Sequence, residues 1–367
     1  MLIAISNHGH FLGGGEHSFL DLLSHLPSDW QPAAVVPYDG ELSGKLKQRG
    51  IETHSLPLPR IRPWTLFHVF ASVNAYHRLL KKLHPVLIYA NGSRAALYGA
   101  IVGRLLGVPT IWHCRIAESD PFLDPLLVRL NTQIVANSQA TAARFSPSLR
   151  KKILVVHNGV DLPWLQDKTV QLPQLFQKDW KVLLCVARAS RWKRHDLVLA
   201  AFELVAEMHP SLNLICLGAK DQGEPDWWNL LQQRTLQSPF AERIHWIGQV
   251  DDVRPWYRVA SAMVLASENE PFGRVIVEAM ACGVPVIAAR SGGIPEIIHH
   301  QQDGLLVAPG NVEELQEALA TLLRDQAIRD RYVKSALERV ERFSLDSHVT
   351  RMVEIFENTL NLGQLAH

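Results

Sequence analysis

Short, fully apolar runs alternate with amphipathic stretches along most of the chain. The runs have the length of one buried strand, and the stretches between them have the length and periodicity of helices. Strands that alternate with helices form parallel sheets covered by those helices. The strands predicted in this way cover residues 1–6, 32–36, 86–90, 110–114, 180–187, 212–217, 244–248, 286–289 and 303–307. The chain is therefore expected to be an α/β protein.

The longest helical pattern, from Thr65 to Leu83, has one apolar face. Its spacing is typical of a helix packed on a core. The residues expected on this face are Leu66, Val69, Phe70, Val73, Tyr76, Leu80 and Leu83. The cations that flank the pattern are Arg60, Arg62, Arg78, Lys81 and Lys82. We interpret these cations as a solvated face, with contact to a membrane as the alternative.

The length of 367 residues predicts two domains. Residues 163–180, with prolines and scattered glutamines, are predicted to link them. The predicted domains are residues 1–165 and 178–345, and a terminal helix occupies residues 346–367.

A formal net charge of +1 gives no reason to expect a nucleic-acid partner. The charge is uneven, because residues 1–163 carry 16 Lys and Arg against 10 Asp and Glu. A basic first domain is compatible with an anionic acceptor, with peripheral contact to an anionic membrane, or with scattered surface charge. These alternatives stay open.

The four cysteines, Cys114, Cys185, Cys216 and Cys282, are far apart and form no C-x-x-C pair. We interpret them as free thiols in a reducing compartment. The sequence shows neither a signal-peptide pattern nor a run of about 18 apolar residues. We therefore expect a cytoplasmic protein, peripheral at the inner membrane face at most.

The segment from Ser267 to Glu296 predicts a loop, a helix that begins at Gly273, and a strand. Residues 274–282 are mostly helix formers, and a glycine and a proline end the helix. A helix start behind a glycine offers N–H groups and a positive dipole end, which suit a phosphate. The pair Gly292–Gly293 repeats this arrangement before another predicted helix.

Two glutamates flank this helix start. Glu270, in the loop, can hold sugar hydroxyls, and Glu278, roughly 7–8 Å along the helix at ~1.5 Å per residue, can accept hydrogen bonds from a ribose. Arg188 and Lys193 lie on a loop between a strand and a helix, where they suit a diphosphate. Together these residues predict a site for ribose, diphosphate and sugar.

Three consecutive glycines, Gly13 to Gly15, form a loop between the first strand and an amphipathic helix from Glu16 onward. A glycine loop between a strand and a helix also occurs in dinucleotide-binding oxidoreductases, which are therefore an alternative class for this chain. These glycines lack the G-x-G-x-x-G spacing, so an oxidoreductase is poorly supported.

The stretch EPFGRVIVEAMACGVPVIA, followed by SGGIPEII, resembles the signature of retaining glycosyltransferases of family 4, whose two glutamates are separated by seven residues. The resemblance covers nearly the whole chain. It implies the GT-B fold, in which two Rossmann-like, doubly wound domains face a cleft and a C-terminal helix crosses back to the first domain. The donor would bind in that cleft, mostly on the second domain.

The resemblance also assigns roles to residues. It assigns catalytic roles to His113, Arg188, Lys193 and Glu270. It places around the donor Gly14, Gly15, Glu16, Val250, Pro271, Phe272, Gly273, Arg274 and Glu278. Candidates for the acceptor side are Asn91, Arg94 and Arg115.

Some of these assignments are specific. His113, at a strand tip, would contact the sugar, and the backbone near Val250 would bind the nucleobase. Relatives often carry Asp after this histidine, whereas Cys114 and Arg115 follow it here, and Arg115 could contact an acidic acceptor instead.

The implied reaction transfers a hexose-type sugar, with retention, from a nucleotide diphosphate sugar to a hydroxyl of a glycan, a lipid-linked acceptor or a small molecule. UDP is favoured by its frequency in the family, and GDP is the alternative. No D-x-D with supporting ligands is present, so neither a metal nor another cofactor is expected. A non-catalytic nucleotide-sugar-binding protein and a phosphorylase or sugar-nucleotide hydrolase of the same fold remain alternatives.

Overall fold

The computed structural model describes residues 1–9 and 13–364. Residues 10–12, just before the predicted glycine loop, and residues 365–367, at the end of the predicted terminal helix, lie outside the described residues. The chain divides into two compact units. One comprises Met1–Val160 together with the chain from Leu345 onward, and the other is Asp161–Ser344.

The first unit contains a parallel sheet. Its strands are β1 (Leu2–Ser6), β2 (Pro32–Val36), β3 (Glu52–Ser55), β4 (Leu87–Asn91), β5 (Thr110–Cys114), β6 (Gln133–Ala136) and β7 (Ile153–Val155). The helices between Met1 and Val160 are α1 (Gly14–Ser24), α2 (Glu41–Gln48), α3 (Leu66–Leu83), α4 (Ser93–Leu106), α5 (Leu123–Leu130), α6 (Gln139–Ala142) and α7 (Pro147–Arg150). The strand order in the described residues is β3-β2-β1-β4-β5-β6-β7.

The second unit repeats this plan. Its strands are β8 (Lys181–Val186), β9 (Leu212–Leu217), β10 (Ile244–Gly248), β11 (Ala260–Leu265), β12 (Val286–Ala289) and β13 (Leu305–Val307). Its helices are α8 (Leu162–Gln166), α9 (His195–Ala206), α10 (Pro225–Gln237), α11 (Arg254–Val259), α12 (Arg274–Ala281), α13 (Ile294–Ile297), α14 (Val312–Arg324) and α15 (Gln326–Val340). Within the described range the strand order is β10-β9-β8-β11-β12-β13, with every pair parallel.

The last helix, α16 (Leu345–Gln364), belongs to the first unit. The N–H of Leu345 donates to the carbonyl of Val160 at 2.8 Å, where the chain enters the helix. Met352 and Phe356 are fully buried in the apolar cluster that also holds residues of β1 and α1. The helix therefore completes a core that the segment before Val160 begins.

Each sheet reverses its strand order once, and such switch points are where α/β sheets bind ligands, at the carboxyl ends of the strands. In the first unit the reversal lies between β1 and β4, and in the second it lies between β8 and β11. Both strand pairs are parallel, so the loops after each pair start from the same edge of the sheet. The sheet order therefore predicts where functional side chains gather in each unit.

The predicted α/β class and doubly wound topology are confirmed, but part of the predicted core is wrong. Tyr76 and Leu80 of α3 are buried, whereas Leu66 is 56% and Phe70 is 71% exposed. The apolar periodicity of α3 extends over the whole helix, whereas the rest of the first unit covers mainly its second half. The polar strand β3 was not predicted, and the proposed linker begins with helix α8.

Candidate active site

Lys193 and Glu270 form the centre of the candidate site in the second unit. Lys193 ends a 3-10 turn after β8, and Glu270 lies in the loop after β11. The Nζ atom of Lys193 lies 2.6 Å from Oε2 of Glu270, and only 13% and 9% of the two side chains are exposed. The switch between β8 and β11 brings together residues that are 77 positions apart in the sequence.

Backbone contacts hold the loops of this ion pair together. The N–H of Glu268 donates to the carbonyl of Trp192 at 2.7 Å. The Lys193 ammonium lies 3.9 Å from the centroid of the Trp192 ring, a cation–π distance. Arg194 pairs with both Asp196 and Glu268. The position of Lys193 is therefore fixed by its surroundings as well as by Glu270.

The glycine pair Gly292–Gly293 packs against the loop that carries Glu270. Gly292 has a φ of 55°, and a Cβ atom there would lie 2.0 Å from the carbonyl oxygen of Glu270. The N–H of Gly293 already donates to that oxygen at 2.7 Å. The prediction of a second phosphate cradle at this pair is wrong, because the loop fills the space and uses the N–H group.

Helix α12 begins behind Gly273, as the sequence predicted. Gly273 has a φ of 101°, a conformation that glycine adopts readily and other residues do not. The N–H groups in the first turn of a helix have no partner within the helix and carry its positive dipole end. Phe272 is buried and packs edge-on against Phe343, with ring centroids 5.9 Å apart. Phe272 therefore supports the loop. The positive dipole end of α12 lies at Gly273, whose carbonyl accepts from the N–H of Ile276 at 2.9 Å.

Glu278 is held by two neighbours. Its Oε1 accepts a hydrogen bond from Nε of Arg274 at 2.8 Å, and its Oε2 lies 3.3 Å from the hydroxyl of Tyr257. Burial, followed by the charge of Glu278, raises the pKa of Tyr257 well above its usual value. The hydroxyl therefore stays protonated, and it can donate to Glu278 or to the carbonyl of Val275, which lies 3.2 Å away.

Arg188 also has an acidic neighbour. Its Nε lies 3.2 Å from Oδ2 of Asp221 and 3.1 Å from Oγ of Ser190. Asp221 follows β9, the strand next to β8. An anionic ligand that binds Arg188 would compete with this carboxylate. Val250 follows β10 and is partly exposed.

A second cluster of polar side chains lies at the switch point of the first unit. The hydroxyl of Tyr89 lies 2.8 Å from Nδ1 of His113, and Arg115 donates to that hydroxyl at 3.2 Å. Arg115 also donates to Asn91 at 2.6 Å and to Asn158. The predicted acceptor-side residue Arg115 is thus bound by three side chains.

His113 is fully buried in this structure, and its contact with a sugar stays a prediction. Burial, and then the nearby charge of Arg115, lowers the pKa of His113 well below its usual value. Because the hydroxyl of Tyr89 accepts from Arg115, its own proton points to Nδ1 of the neutral ring. The His113 proton is then on Nε2, which has no hydrogen-bond partner in the described part of the chain.

Glu16 and Arg94 have structural partners. Oε2 of Glu16 accepts from the N–H of Gly13 at 3.1 Å and so caps its own helix, α1. Arg94 donates to the backbone carbonyl of Leu58 at 3.1 Å. Both side chains thus contact nearby backbone groups in this structure, and their predicted ligand contacts stay predictions.

The two predicted glycines behave differently from Glu16. Gly14 is exposed, with no described atom within 4 Å of a Cβ built on it. The carbonyl of Gly15 accepts from the side-chain amide of Asn91 at 3.3 Å, and the side chain of Arg115 lies beside it. The backbone at the start of α1 is thus more accessible than the Glu16 carboxylate.

Sequence reasoning missed three residues that shape these clusters: Tyr257, Asp221 and Tyr89. Asp221 and Tyr89 lie on or after strands adjacent to the switch points, so a correct strand order would have pointed to them. Tyr257 lies on α11 and is 21 positions from Glu278, and no spacing in the sequence relates the two.

Residues 1–9 and 13–364 show neither a metal cluster nor a membrane-spanning helix. No cluster of three or more His, Cys, Asp or Glu side chains there could hold a metal ion. No helix in the same residues combines the length and the apolar character needed to cross a membrane.

Comparison with known families gives two matches that follow one another along the chain. The family described as glycosyl transferases group 1 matches residues 168–339, and Glycosyltransferase Family 4 matches residues 12–163. The chain is a group 1 glycosyltransferase of the GT-B fold.

Two relatives of this glycosyltransferase share less than 30% of its sequence over the matched region. It is 27% identical to N-acetyl-alpha-D-glucosaminyl L-malate synthase of Bacillus anthracis, over 87% of this chain and 92% of that protein. It is 29% identical to a D-inositol 3-phosphate glycosyltransferase of Jonesia denitrificans, over 57% of this chain and 52% of that protein. Such relatives support glycosyl transfer as the activity of this protein.

Solved structures resemble the glycosyltransferase along its whole length. The crystal structure of Anabaena HepE in complex with UDP-glucose matches with a TM-score of 0.85 and 24% identity. The match covers 98% of this chain and 100% of the HepE chain. At this identity the likeness establishes the fold.

Proposed function

We propose that this glycosyltransferase moves a hexose-type sugar from a UDP-sugar to an acceptor hydroxyl, with retention at the anomeric carbon and without a metal. The observation that carries the proposal is the buried pair of Lys193 and Glu270 at the switch point of the second unit. A cation and a carboxylate held side by side suit a ligand with a diphosphate next to a sugar.

The proposed donor lies along the second unit. Its diphosphate binds Lys193, Arg188 and the first turn of α12, because these groups supply positive charge. Its ribose hydroxyls donate to Glu278, whose carboxylate contacts Arg274 and Tyr257. In this arrangement the carboxylate that is closest to Lys193, Glu270, binds the sugar hydroxyls.

The chemistry needs stabilisation of charge on the leaving diphosphate. Lys193 and Arg188 supply that charge from fixed positions, which lowers the barrier without reorganisation. We assign the acceptor proton to the leaving phosphate, with attack on the same face that the diphosphate leaves. The proposal includes no protein nucleophile, since Glu270 is already bound to Lys193.

UDP is the preferred nucleotide because the HepE structure of the same fold is described with UDP-glucose. GDP is the alternative. The acceptor belongs to the first unit in this proposal, where the partly exposed Arg115 and the start of α1 lie at the other switch point. Among described residues the cysteines are free thiols, which supports a cytoplasmic location.

The test measures nucleotide release by the purified protein from a panel of UDP-, GDP- and ADP-sugars, with and without EDTA. Wild type and Glu278→Ala are compared. Release from one donor, lost in the variant and unchanged by EDTA, supports the assignment of donor, ribose contact and metal independence. Proton NMR of the product formed with a competent acceptor then reports the anomeric configuration.

Two of the alternatives, a binding protein and a phosphorylase, give different outcomes. Binding of UDP without release, for any acceptor in a glycan, glycolipid and small-molecule panel, indicates a binding protein. Release that depends on inorganic phosphate and yields a sugar phosphate indicates a phosphorylase. Neither binding nor release with any nucleotide sugar contradicts the proposal.

A further inference from the structure

An aromatic cluster is exposed at the start of α3. It consists of five large apolar residues within ten positions, and their exposed fractions range from 49% to 79%. The residues of the aromatic cluster are Ile61, Trp64, Leu66, Phe67 and Phe70. Single exposed apolar residues are common on proteins, whereas contiguous patches mark interaction surfaces.

The exposed residues lie at the start of a helix whose other face is buried in the first unit. Tyr76 and Leu80, on the other face of α3, are fully buried in the apolar cluster that also contains residues of α4. The hydroxyl of Tyr76 donates to the carbonyl of Leu56 at 3.2 Å. The second half of α3 is thus fixed to the first unit. In the first two turns of the helix, Leu66, Phe67 and Phe70 are exposed.

The charge around the aromatic cluster has one sign. Arg60 and Arg62 precede it, and Arg78, Lys81 and Lys82 are exposed further along α3. Phe67 and Arg78 are related by helical spacing and lie about 16 Å apart along the axis at ~1.5 Å per residue. One exposed face of α3 therefore has aromatic residues at its start and cations at its end.

No acidic residue interrupts this surface in the sequence. Between Glu52 and Glu118 the chain contains no Asp or Glu. That range includes α3 and also α4, the helix packed against it, which adds Arg94 and Arg104. Contact with α4 therefore brings no carboxylate next to α3.

We propose that the aromatic cluster and the cations of α3 dock this protein on an anionic lipid bilayer. Aromatic and aliphatic side chains at the start of α3 enter the boundary between headgroups and acyl chains, and the cations bind lipid phosphates. The guanidinium of Arg62 lies 5.4 Å from the centroid of the Trp64 ring. A cation therefore lies beside a side chain that has an apolar body and a polar tip. Cations of one sign next to an exposed apolar cluster match the anionic headgroups and apolar interior of such a membrane.

The experiment is flotation of the purified full chain with vesicles of phosphatidylcholine alone or of phosphatidylcholine mixed with phosphatidylglycerol, at low and at high salt. The proposal expects flotation with the anionic vesicles and a loss of at least fivefold in the bound fraction on raising the salt, because surface charge is screened. It expects little binding to the neutral vesicles.

Two variants separate the apolar and the charged parts, each with a matched control. Phe67→Ser with Phe70→Ser should lower the bound fraction about tenfold, whereas Met208→Ser with Leu236→Ser, which changes exposed apolar residues of the second unit, should not. Lys81→Glu with Lys82→Glu should lower affinity at least tenfold. Lys151→Glu with Lys152→Glu makes the same change in net charge at exposed positions of the same unit and should have a much smaller effect.

Three outcomes overturn the proposal. One is no flotation with either vesicle. Another is equal loss of binding in the variants and their controls. The third is a dimer, measured by light scattering, that dissociates in the Phe67→Ser, Phe70→Ser variant without vesicles, since the cluster would then join two copies of this chain. Nucleotide binding by the variants is measured in parallel, so that a failure of the proposed transfer reaction and a failure of docking are distinguished.

Discussion

The ammonium of Lys193 lies 2.6 Å from the carboxylate of Glu270, in a site where little of either side chain reaches solvent. Sequence reasoning assigned these residues to different parts of a ligand, and the structure makes them one unit. Removing one partner of a buried ion pair leaves an uncompensated charge and costs roughly 3–5 kcal/mol. We therefore expect Lys193→Met to lower the free energy of unfolding by about 3 kcal/mol, measured by urea denaturation.

The double variant Lys193→Met, Glu270→Gln should recover most of that stability but not the activity. Loss of a fixed positive group at the leaving oxygen is expected to lower kcat about 10²- to 10³-fold. The matched control is the exposed pair of Arg351 and Glu354, whose side chains are 54% and 50% exposed. Arg351→Met should change stability by about 0–1 kcal/mol. Equal costs for the two ion pairs would contradict the prediction.

Tyr257→Phe should weaken donor binding while sparing the fold. The variant keeps the buried ring and removes the hydroxyl that lies 3.3 Å from Glu278, so the carboxylate is less well directed. We expect the KM for the donor to rise about threefold to tenfold, which corresponds to the net contribution of one ordinary hydrogen bond, with kcat nearly unchanged. Tyr98→Phe, which removes a hydroxyl bonded to the carbonyl of Pro59 in the first unit, should leave this KM as it is. A similar rise in both variants would show that Tyr257 acts only on stability.

Gly292→Ala should damage the site through the backbone. A Cβ atom at Gly292 would lie 2.0 Å from the carbonyl oxygen of Glu270, so the glutamate loop must move. We expect a loss of more than about 2 kcal/mol from the strained φ and the clash together, with a rise in donor KM. Gly44→Ala, within helix α2 and with open space around it, should instead raise stability by about 0.5–1 kcal/mol. Thermal unfolding of both variants checks the contrast.

His113 should make the first unit sensitive to acid. Its pKa is lowered in the folded state, so below the unfolded value of about 6.5 the unfolded chain binds a proton that the folded chain does not. Stability due to this residue is therefore present above about pH 6.5 and lost as the pH falls, by about 1.4 kcal/mol per pH unit at most. Between pH 7 and 5, the free energy of unfolding of His113→Gln should fall less steeply with pH than that of the wild type, by up to that amount per pH unit. An unchanged slope would mean that the buried ring is not neutral.

The local parts of the fold were predictable from sequence. Strand β12 and the start of α12 were predicted correctly, because Gly273, a run of helix formers and an apolar run are signals carried by neighbouring residues. The family and the doubly wound topology were also predicted correctly, since the signature from Glu270 onward is dense. The polar strand β3 was missed because its sequence, ETHS, contains no apolar residue and it is held by backbone pairing with β2.

Contacts between distant segments were not predictable. The pairing of Lys193 with Glu270 depends on β8 lying beside β11, which no local pattern states. The exposure of Phe70 was missed because periodicity identifies an apolar face but not what covers it. The assigned roles of the site residues stay predictions, and the variants above test them.

The order in which the core of the first unit is completed follows from helix α16. Met352 and Phe356 complete a core begun by β1, yet the whole second unit, Asp161–Ser344, lies between them and Val160 in the sequence. At about 5–20 residues per second, a ribosome needs roughly 10 to 40 s to synthesise that insertion. The unit that is started first is therefore finished last, and a nascent chain exposes an incomplete apolar surface throughout that interval. We expect chaperones that bind unfinished chains to associate with the first unit until α16 leaves the ribosome.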